Sequence, residues 1–371
     1  MKILHVLPYY KPAYVYGGPI YSSSALCEAL FKKGHDITVL TTTANGDQEL
    51  SSYEEVIDGV KVLRFNRLTK NNTFVSPQLA LYLYRHIKSF DVVHVHTWWN
   101  LVSIFSLIIC FLKKVRPVLS PRGMLSDYII ETNNPKQKKI IQWLFGKSLL
   151  AKVKFHATAP AESLEILKLY PSATIKIAFN FIKIPSIPNS EPVYDDTIKM
   201  IFLSRIDPKK GLELLFKALH NLNWNYHLDI IGPGTDEYIE SLKLLTEQLG
   251  IGDHVTWHGS VFGDKKFAML KNHDLMLLPS YNENFANVII ETLAMGTPVL
   301  ISNEVGLAPY VSEKNLGWIC HTNSSDIIKQ LELFRSDLSK RNFIRKNAPA
   351  IIDKDFNHDV LVDKYLELYK L

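Results

Sequence analysis

Two glutamates separated by seven residues, Glu283 and Glu291, mark the segment of this sequence best equipped for chemistry. It runs Pro279-Ser280-Tyr281-Asn282-Glu283-Asn284-Phe285-Ala286-Asn287-Val288-Ile289-Ile290-Glu291-Thr292-Leu293-Ala294-Met295-Gly296-Thr297-Pro298. An apolar strand ending at Leu278 leads into a short loop, and a helix is expected to start near Asn287 and to stop at Gly296. The first amides of such a helix, around Phe285, Ala286, Asn287 and Val288, have no partner within the helix and carry partial positive charge, which suits a diphosphate. Glu283 precedes the helix and can face a sugar. Glu291 lies about one turn inside it, where a carboxylate can accept two ribose hydroxyls. The alternative is a solvated polar loop, but the loop, the two glutamates, Gly296 and Pro298 fit one element.

A second group lies in Ser204-Arg205-Ile206-Asp207-Pro208-Lys209-Lys210-Gly211-Leu212. Arg205 falls just past a strand end and Lys210 just before a helix. Two cations on one loop can neutralise a diphosphate leaving group electrostatically, without a metal. Gly17-Gly18-Pro19 follows the first strand, and adjacent glycines permit close backbone approach to a ligand; many strand-to-helix turns need such a pair, and the G-x-G-x-x-G pattern is absent. In Asp91-Val92-Val93-His94-Val95-His96 the histidines are two apart, so both face one side of a strand. His94 is expected inside the sheet and His96 at its carboxyl end. No further His, Cys or acid stands at metal-ligand spacing. The one D-x-D triplet, Asp353-Lys354-Asp355, has a lysine between its acids and precedes the last helix, so no metal site is expected.

These residues need a scaffold that brings strand ends together, and the patterning supplies one. Apolar strand-like runs at Ile3–Leu7, Ile37–Leu40, Val60–Phe65, Asp91–Val95, Val118–Ser120 and Val153–Ala157 alternate with helical runs. Ile182 to Asp196, with Pro185, Pro188 and Pro192, reads as a linker. A second series follows at Met200–Leu203, His227–Ile231, Val255–His258, Asp274–Leu278 and Pro298–Ile301, with a helix at Leu212–Leu219. The expectation is an α/β chain of two doubly wound parallel-sheet domains, residues 1–185 and 197–355. In such folds ligands sit at the carboxyl ends of the strands, and with two domains the natural site is a cleft between them.

Composition narrows the function classes. The chain has 371 residues, 47% hydrophobic and 21% charged, with a net charge of +5. This is the make-up of a globular protein with a large core. Cys27, Cys110 and Cys320 are too scattered for a metal site or a disulfide framework, so free thiols and a cytoplasmic setting are expected. The opening residues lack the features of a secretory signal, and the longest apolar run, Leu101 to Leu112, is too short to span a bilayer. From Val92 to Ala161 there are ten Lys and Arg but only Asp127 and Glu131 as acids. That bias reads either as a solvated face or as a patch for anionic lipid headgroups or a phosphorylated acceptor. No nucleic-acid recognition motif accompanies it.

Taken together, the motifs resemble the retaining glycosyltransferases of family four, which have the GT-B fold of two Rossmann-like domains facing a central cleft. The resemblance covers nearly the whole chain. Glu283 and Glu291 match the family's spaced glutamates, Ser204-Arg205 through Lys210-Gly211 its phosphate-binding loop, Gly17-Gly18 its amino-terminal glycine loop and His96 its cleft histidine. Ser120-Pro121-Arg122-Gly123-Met124-Leu125 is similar to members that build bacterial surface polysaccharides. The resemblance implies that Glu283 contacts donor sugar hydroxyls, Glu291 the ribose, Arg205 and Lys210 the diphosphate and His96 the transferring sugar, with Gly232 lining the donor pocket. It also implies a terminal helix, residues 356–371, returning to the first, acceptor-side domain, a UDP-, GDP- or ADP-sugar donor, a glycan or lipid-linked acceptor and no cofactor; the basic stretch from Lys113 to Lys154 adds the expectation that the first domain docks on the periphery of the inner membrane face. Many members have glycine where Ala286 stands. Two rival readings remain: a sugar-nucleotide epimerase of the same build, and a non-catalytic nucleotide-sugar binding protein.

Overall fold

The computed structural model describes residues 1–132, 134–185 and 196–370. It divides into two compact units. One comprises Met1–Ile182 with His358–Leu371, and the other Lys183–Asn357. Of the linker residues, 186–195, including Pro188 and Pro192, lie outside the described residues.

The first unit holds strands β1 (Lys2–Val6), β2 (Asp36–Thr42), β3 (Glu54–Ile57), β4 (Val60–Phe65), β5 (Val92–His96), β6 (Val118–Ser120), β7 (Lys154–Ala157) and β8 (Thr174–Ile177). They form one sheet in the order β8-β7-β6-β5-β1-β2-β4-β3, parallel except for β3, which pairs antiparallel with β4. The central strands are nearly continuous buried apolar runs, as a sheet covered by helices on both faces requires. Strand order reverses between β1 and β5, which places Gly17 and His96 on loops flanking one switch point. The helix His358–Lys370 adds Leu361, Val362, Tyr365, Leu368 and Tyr369 to the core formed by Ile3, Leu26 and Val39. This one-sided pattern of four- and three-residue spacing explains why the chain's end belongs to the first unit.

The second unit holds β9 (Ile198–Leu203), β10 (Tyr226–Ile231), β11 (Val255–Gly259), β12 (Leu275–Leu278), β13 (Val299–Ser302) and β14 (Gly317–Cys320). All are parallel, in the order β11-β10-β9-β12-β13-β14. This is the Rossmann order, with its switch point between β9 and β12. The loops that follow those two strands are the two singled out by their residues. The Leu212–Leu219 helix after β9 buries Leu212, Leu215, Phe216, Ala218 and Leu219, and so packs one face on the sheet. The sequence reading placed eleven of these fourteen strands. It missed β3, β8 and β14. The three cysteines are buried and unpaired. Among the described residues no helix is long and apolar enough to cross a membrane.

Candidate functional site

In the second unit the loop after β9 turns at Gly211, whose φ of 72° is left-handed. A Cβ there would stand 2.3 Å from the Pro279 carbonyl oxygen, on the loop after β12. The two loops therefore touch backbone to backbone, and only glycine fits. The Tyr281 amide donates to the Lys209 carbonyl at 2.8 Å, which tightens the contact. Gly232, at the end of β10, closes the third side. Its φ is 149°, and a Cβ would lie 1.7 Å from the Ser204 carbonyl oxygen. Glycine at this strand end thus lets β9 and β10 loops pack edge to edge.

This clasp sets the side chains. Lys210, itself buried, donates an ion-paired hydrogen bond to Glu283, whose carboxylate is mostly covered. The Glu283 backbone is held on both sides by the turn after β13: its amide donates to the Glu304 carbonyl at 3.0 Å, and its carbonyl accepts from the Gly306 amide at 2.7 Å. Arg205 is exposed and, among the described residues, makes neither an ion pair nor a hydrogen bond. Burial lowers the Lys209 amine below its ordinary value; Glu283 pulls it back up, and the charges of Lys210 and Arg205 push it further down. Three cations thus share one loop, with Asp207 spent on capping the Lys209 amide at 3.0 Å. Against Asp207 and Glu283, these three cations leave the junction with one positive charge in excess.

The helix after the β12 loop spans Asn287–Ala294 and is followed by Gly296 at φ 79°. Ala286 precedes it at φ 61°, ψ 79°, a left-handed conformation unusual for a residue with a Cβ. Ile289 donates to the Ala286 carbonyl at 3.0 Å, closing the first turn, and Val288 stands half-buried beside it. Phe285 is buried and meets Phe356 edge to face, so its ring anchors the helix start. Glu291 is ion-paired to Lys266 at 2.7 Å. Glu283, Lys210, Arg205, Gly232 and the start of this helix therefore lie on adjoining loops of one sheet edge. Asp355 of the D-x-D triplet accepts from the Tyr310 hydroxyl at 3.0 Å and pairs with Lys314 at 3.4 Å.

In the first unit Gly17 has φ 72° and a Cβ there would meet nothing within 4 Å, so open space lies before its backbone. Gly18 and Pro19 open the helix Gly18–Lys32. His96 stands at the end of β5 as expected, but its ring is not open: it is wholly buried and both ring nitrogens are engaged. Nε2 faces His5 Nδ1 at 2.9 Å, and Nδ1 accepts from the Arg122 guanidinium at 3.2 Å. His94 lies inside the sheet, bonded to Ser120 at 2.6 Å and to the Tyr369 hydroxyl at 2.9 Å. Burial holds all four histidines of this core neutral, with His5 and His156 brought down to about 3.

Several partners were not legible beforehand. Lys209 was given no role within its motif, and Lys266, the partner of Glu291, was not singled out. His5 comes from the first strand and completes a group with His94 and His96 whose ring nitrogens lie within 4.8 Å of one another. The spacing of three histidines would suit a metal, but the Arg122 charge against His96 disfavours a second cation there. Arg122 was noted only as part of a motif; its φ of 55°, next to Gly123 at 75°, gave no sequence signal beyond the glycine.

Comparison with known proteins places the chain in a family and agrees with its two-unit fold. Residues 183–350 match the family described as Glycosyl transferases group 1, and residues 16–183 match Glycosyltransferase Family 4. An uncharacterized glycosyltransferase of Methanocaldococcus jannaschii is 25% identical over 399 aligned positions, covering 100% of this chain and 98% of that one. A 41.2 kDa protein of the Klebsiella pneumoniae cps region is 23% identical, over 86% of this chain and 90% of the relative. The Anabaena protein HepE, solved with UDP-glucose, superposes with a TM-score of 0.71 at 17% identity, over 100% of both chains.

Proposed function

The chain belongs to glycosyltransferase family 4 and is a nucleotide-sugar glycosyltransferase, and from that premise we propose that it works as a retaining, metal-independent enzyme of surface-polysaccharide assembly. The observation that carries the reading is the junction at the β9–β12 switch point, where Arg205, Lys210, Glu283 and the start of the Asn287–Ala294 helix adjoin. In this reading the donor diphosphate sits on that helix start, with Arg205 and Lys210 as its counter-charges. Glu283 takes sugar hydroxyls and Glu291 the ribose. As the glycosidic bond to phosphate breaks, negative charge grows on the leaving phosphate, and preorganised cations favour that state over the ground state. The leaving phosphate then assists deprotonation of the acceptor hydroxyl on the same face of the sugar, so no separate base–nucleophile pair is needed. The Klebsiella relative from a cps region and the structural likeness to a UDP-glucose-bound protein support a polysaccharide acceptor and a nucleotide-sugar donor.

A thermal-shift screen against UDP-, GDP- and ADP-sugars, followed by product analysis with acceptor glycans, tests this. One donor class should stabilise the protein by mass action and give a glycoside with the donor's anomeric configuration. Release of altered free sugar without acceptor would show an epimerase instead, and binding without turnover a non-catalytic protein.

The acceptor-side unit is proposed to dock on an anionic membrane face. Ile140, Trp143 and Leu144 are 56%, 69% and 50% exposed on one helical stretch, and exposed Lys136, Lys139 and Lys147 surround them. Apolar side chains rimmed by lysines match the acyl boundary and headgroups of an anionic leaflet. Liposome sedimentation should favour anionic over neutral vesicles and weaken in Trp143→Ala; equal binding to both vesicle types would exclude docking.

A further inference from the structure

The buried histidines of the first unit form a chain whose proton positions follow from its donors. Arginine has no acceptor, so the Arg122 guanidinium, 3.2 Å and 3.4 Å from His96 Nδ1 through two nitrogens, requires a lone pair there. A neutral His96 then carries its proton on Nε2 and donates it to His5 Nδ1 at 2.9 Å. His5 in turn holds its own proton on Nε2, a buried nitrogen that has no partner. The buried carboxylate of Glu162 is engaged by the Gly123 amide at 2.6 Å and by the Thr158 amide and hydroxyl at 2.7 Å and 2.9 Å rather than by the rings.

We propose that Arg122 is a positioning residue that fixes His96 as the Nε2–H tautomer and aims its ring, through the His5–His96–Arg122 chain at the carboxyl ends of β1, β5 and β6. Three features of Arg122 fit this role. Its backbone sits in the left-handed region, φ 55°, a conformation that a residue with a Cβ holds only when its surroundings impose it. Its remaining hydrogen bonds go to neutral groups, Ser22 Oγ at 2.9 Å and Asn180 Oδ1 at 3.3 Å, so the guanidinium is held in place by a rigid set of acceptors. The Ser22 contact also ties it to the helix that Gly17 and Gly18 open. Fixing a histidine tautomer through the bond made by its other nitrogen is the general way a ring is readied for one task. With both ring nitrogens engaged inside the unit, His96 bears on transfer by holding the end of β5 and the Arg122 loop in place, and that consequence rests on the proposed transferase reading; the tautomer itself does not.

Nitrogen-15 spectra of the full chain with labelled histidine, recorded without donor, read the tautomer directly. His96 Nδ1 is expected as an unprotonated ring nitrogen and Nε2 as a protonated one. Arg122→Met should lose that pattern with an unchanged far-ultraviolet circular dichroism spectrum, and Arg122→Lys, which keeps a donor, should retain it. In transfer assays Arg122→Met should lower kcat about tenfold or more with little change in donor KM, and Arg122→Lys should recover part of it. A protonated Nδ1 in the wild type, or the same tautomer in Arg122→Met, overturns the assignment, and the wild-type spectrum decides even if the variant fails to fold. A lost tautomer with unchanged kcat in Arg122→Met overturns the positioning role while leaving the transferase reading untouched.

Discussion

Lys210 and Glu283, 73 residues apart in the chain, meet as an ion pair at the β9–β12 switch point. The cation proposed for the diphosphate is thus paired with the carboxylate proposed for the sugar. An incoming diphosphate has to share Lys210 with Glu283 and sits close to a like charge. Glu283→Gln removes both the competitor and the repulsion. It should tighten nucleoside-diphosphate binding several-fold, on the order of the weakening one nearby charge produces, while lowering transfer about 100-fold through the lost sugar contact. Calorimetry with the cognate nucleoside diphosphate and initial-rate assays check the two halves; weaker binding in the variant would deny that the pair competes with ligand.

Ala286 carries a strain that is removable. Holding a residue with a Cβ at φ 61° costs about 1–2 kcal/mol, of which a glycine regains most but loses about 0.4–1 kcal/mol to unfolded-chain entropy. Ala286→Gly should raise the melting temperature by about 1–3 °C and leave donor binding equal or stronger, since a methyl beside the helix start disappears. A lower melting temperature would show that the alanine methyl packs usefully.

The glycines separate structural from permissive positions. Gly232→Ala drives a Cβ to 1.7 Å from the Ser204 carbonyl, so backbone must shift, at a cost above about 3 kcal/mol. Gly17→Ala, at φ 72° and ψ −139°, meets open space, so its cost is backbone strain alone, about 1–3 kcal/mol. Thermal unfolding of the two variants should rank them in that order.

Asp229 gives the second unit an acid-sensitive element. Burial pushes its carboxyl up, but hydrogen bonds from His273 and His258, both at 2.7 Å, and their charge bring it down to about 2. A depressed carboxylate stabilises the fold above its unfolded value and loses that contribution as pH falls through the folded one. Melting temperature should therefore drop between about pH 4 and pH 2 more steeply in the wild type than in Asp229→Asn; parallel curves would mean that Asp229 does not carry the effect.

The sequence disclosed what is local. Gly211, Gly296 and the apolar runs at Met200–Leu203 and Asp274–Leu278 placed both loops of the switch point, because turn chemistry and period act over a few residues. What escaped depends on distant partners. The burial of His96 follows from His5 and Arg122, 91 and 26 residues away, and neither contact leaves a pattern in the chain. Strand β8 was missed because it lies at a sheet edge with little buried surface, so the apolar run that announces a central strand is lacking. The pairing of Glu291 with Lys266 likewise depends on how two helices pack.

The central claim, that the donor diphosphate lies against the Arg205–Lys210 loop, is tested most directly by the binding of the cognate nucleoside diphosphate to Arg205→Ala. This side chain is exposed and unbonded among the described residues, so its loss should leave the melting temperature of the free protein within about 1 °C while weakening the diphosphate about 10- to 100-fold, the worth of a charge-assisted hydrogen bond. Equal affinity in wild type and variant would contradict the account.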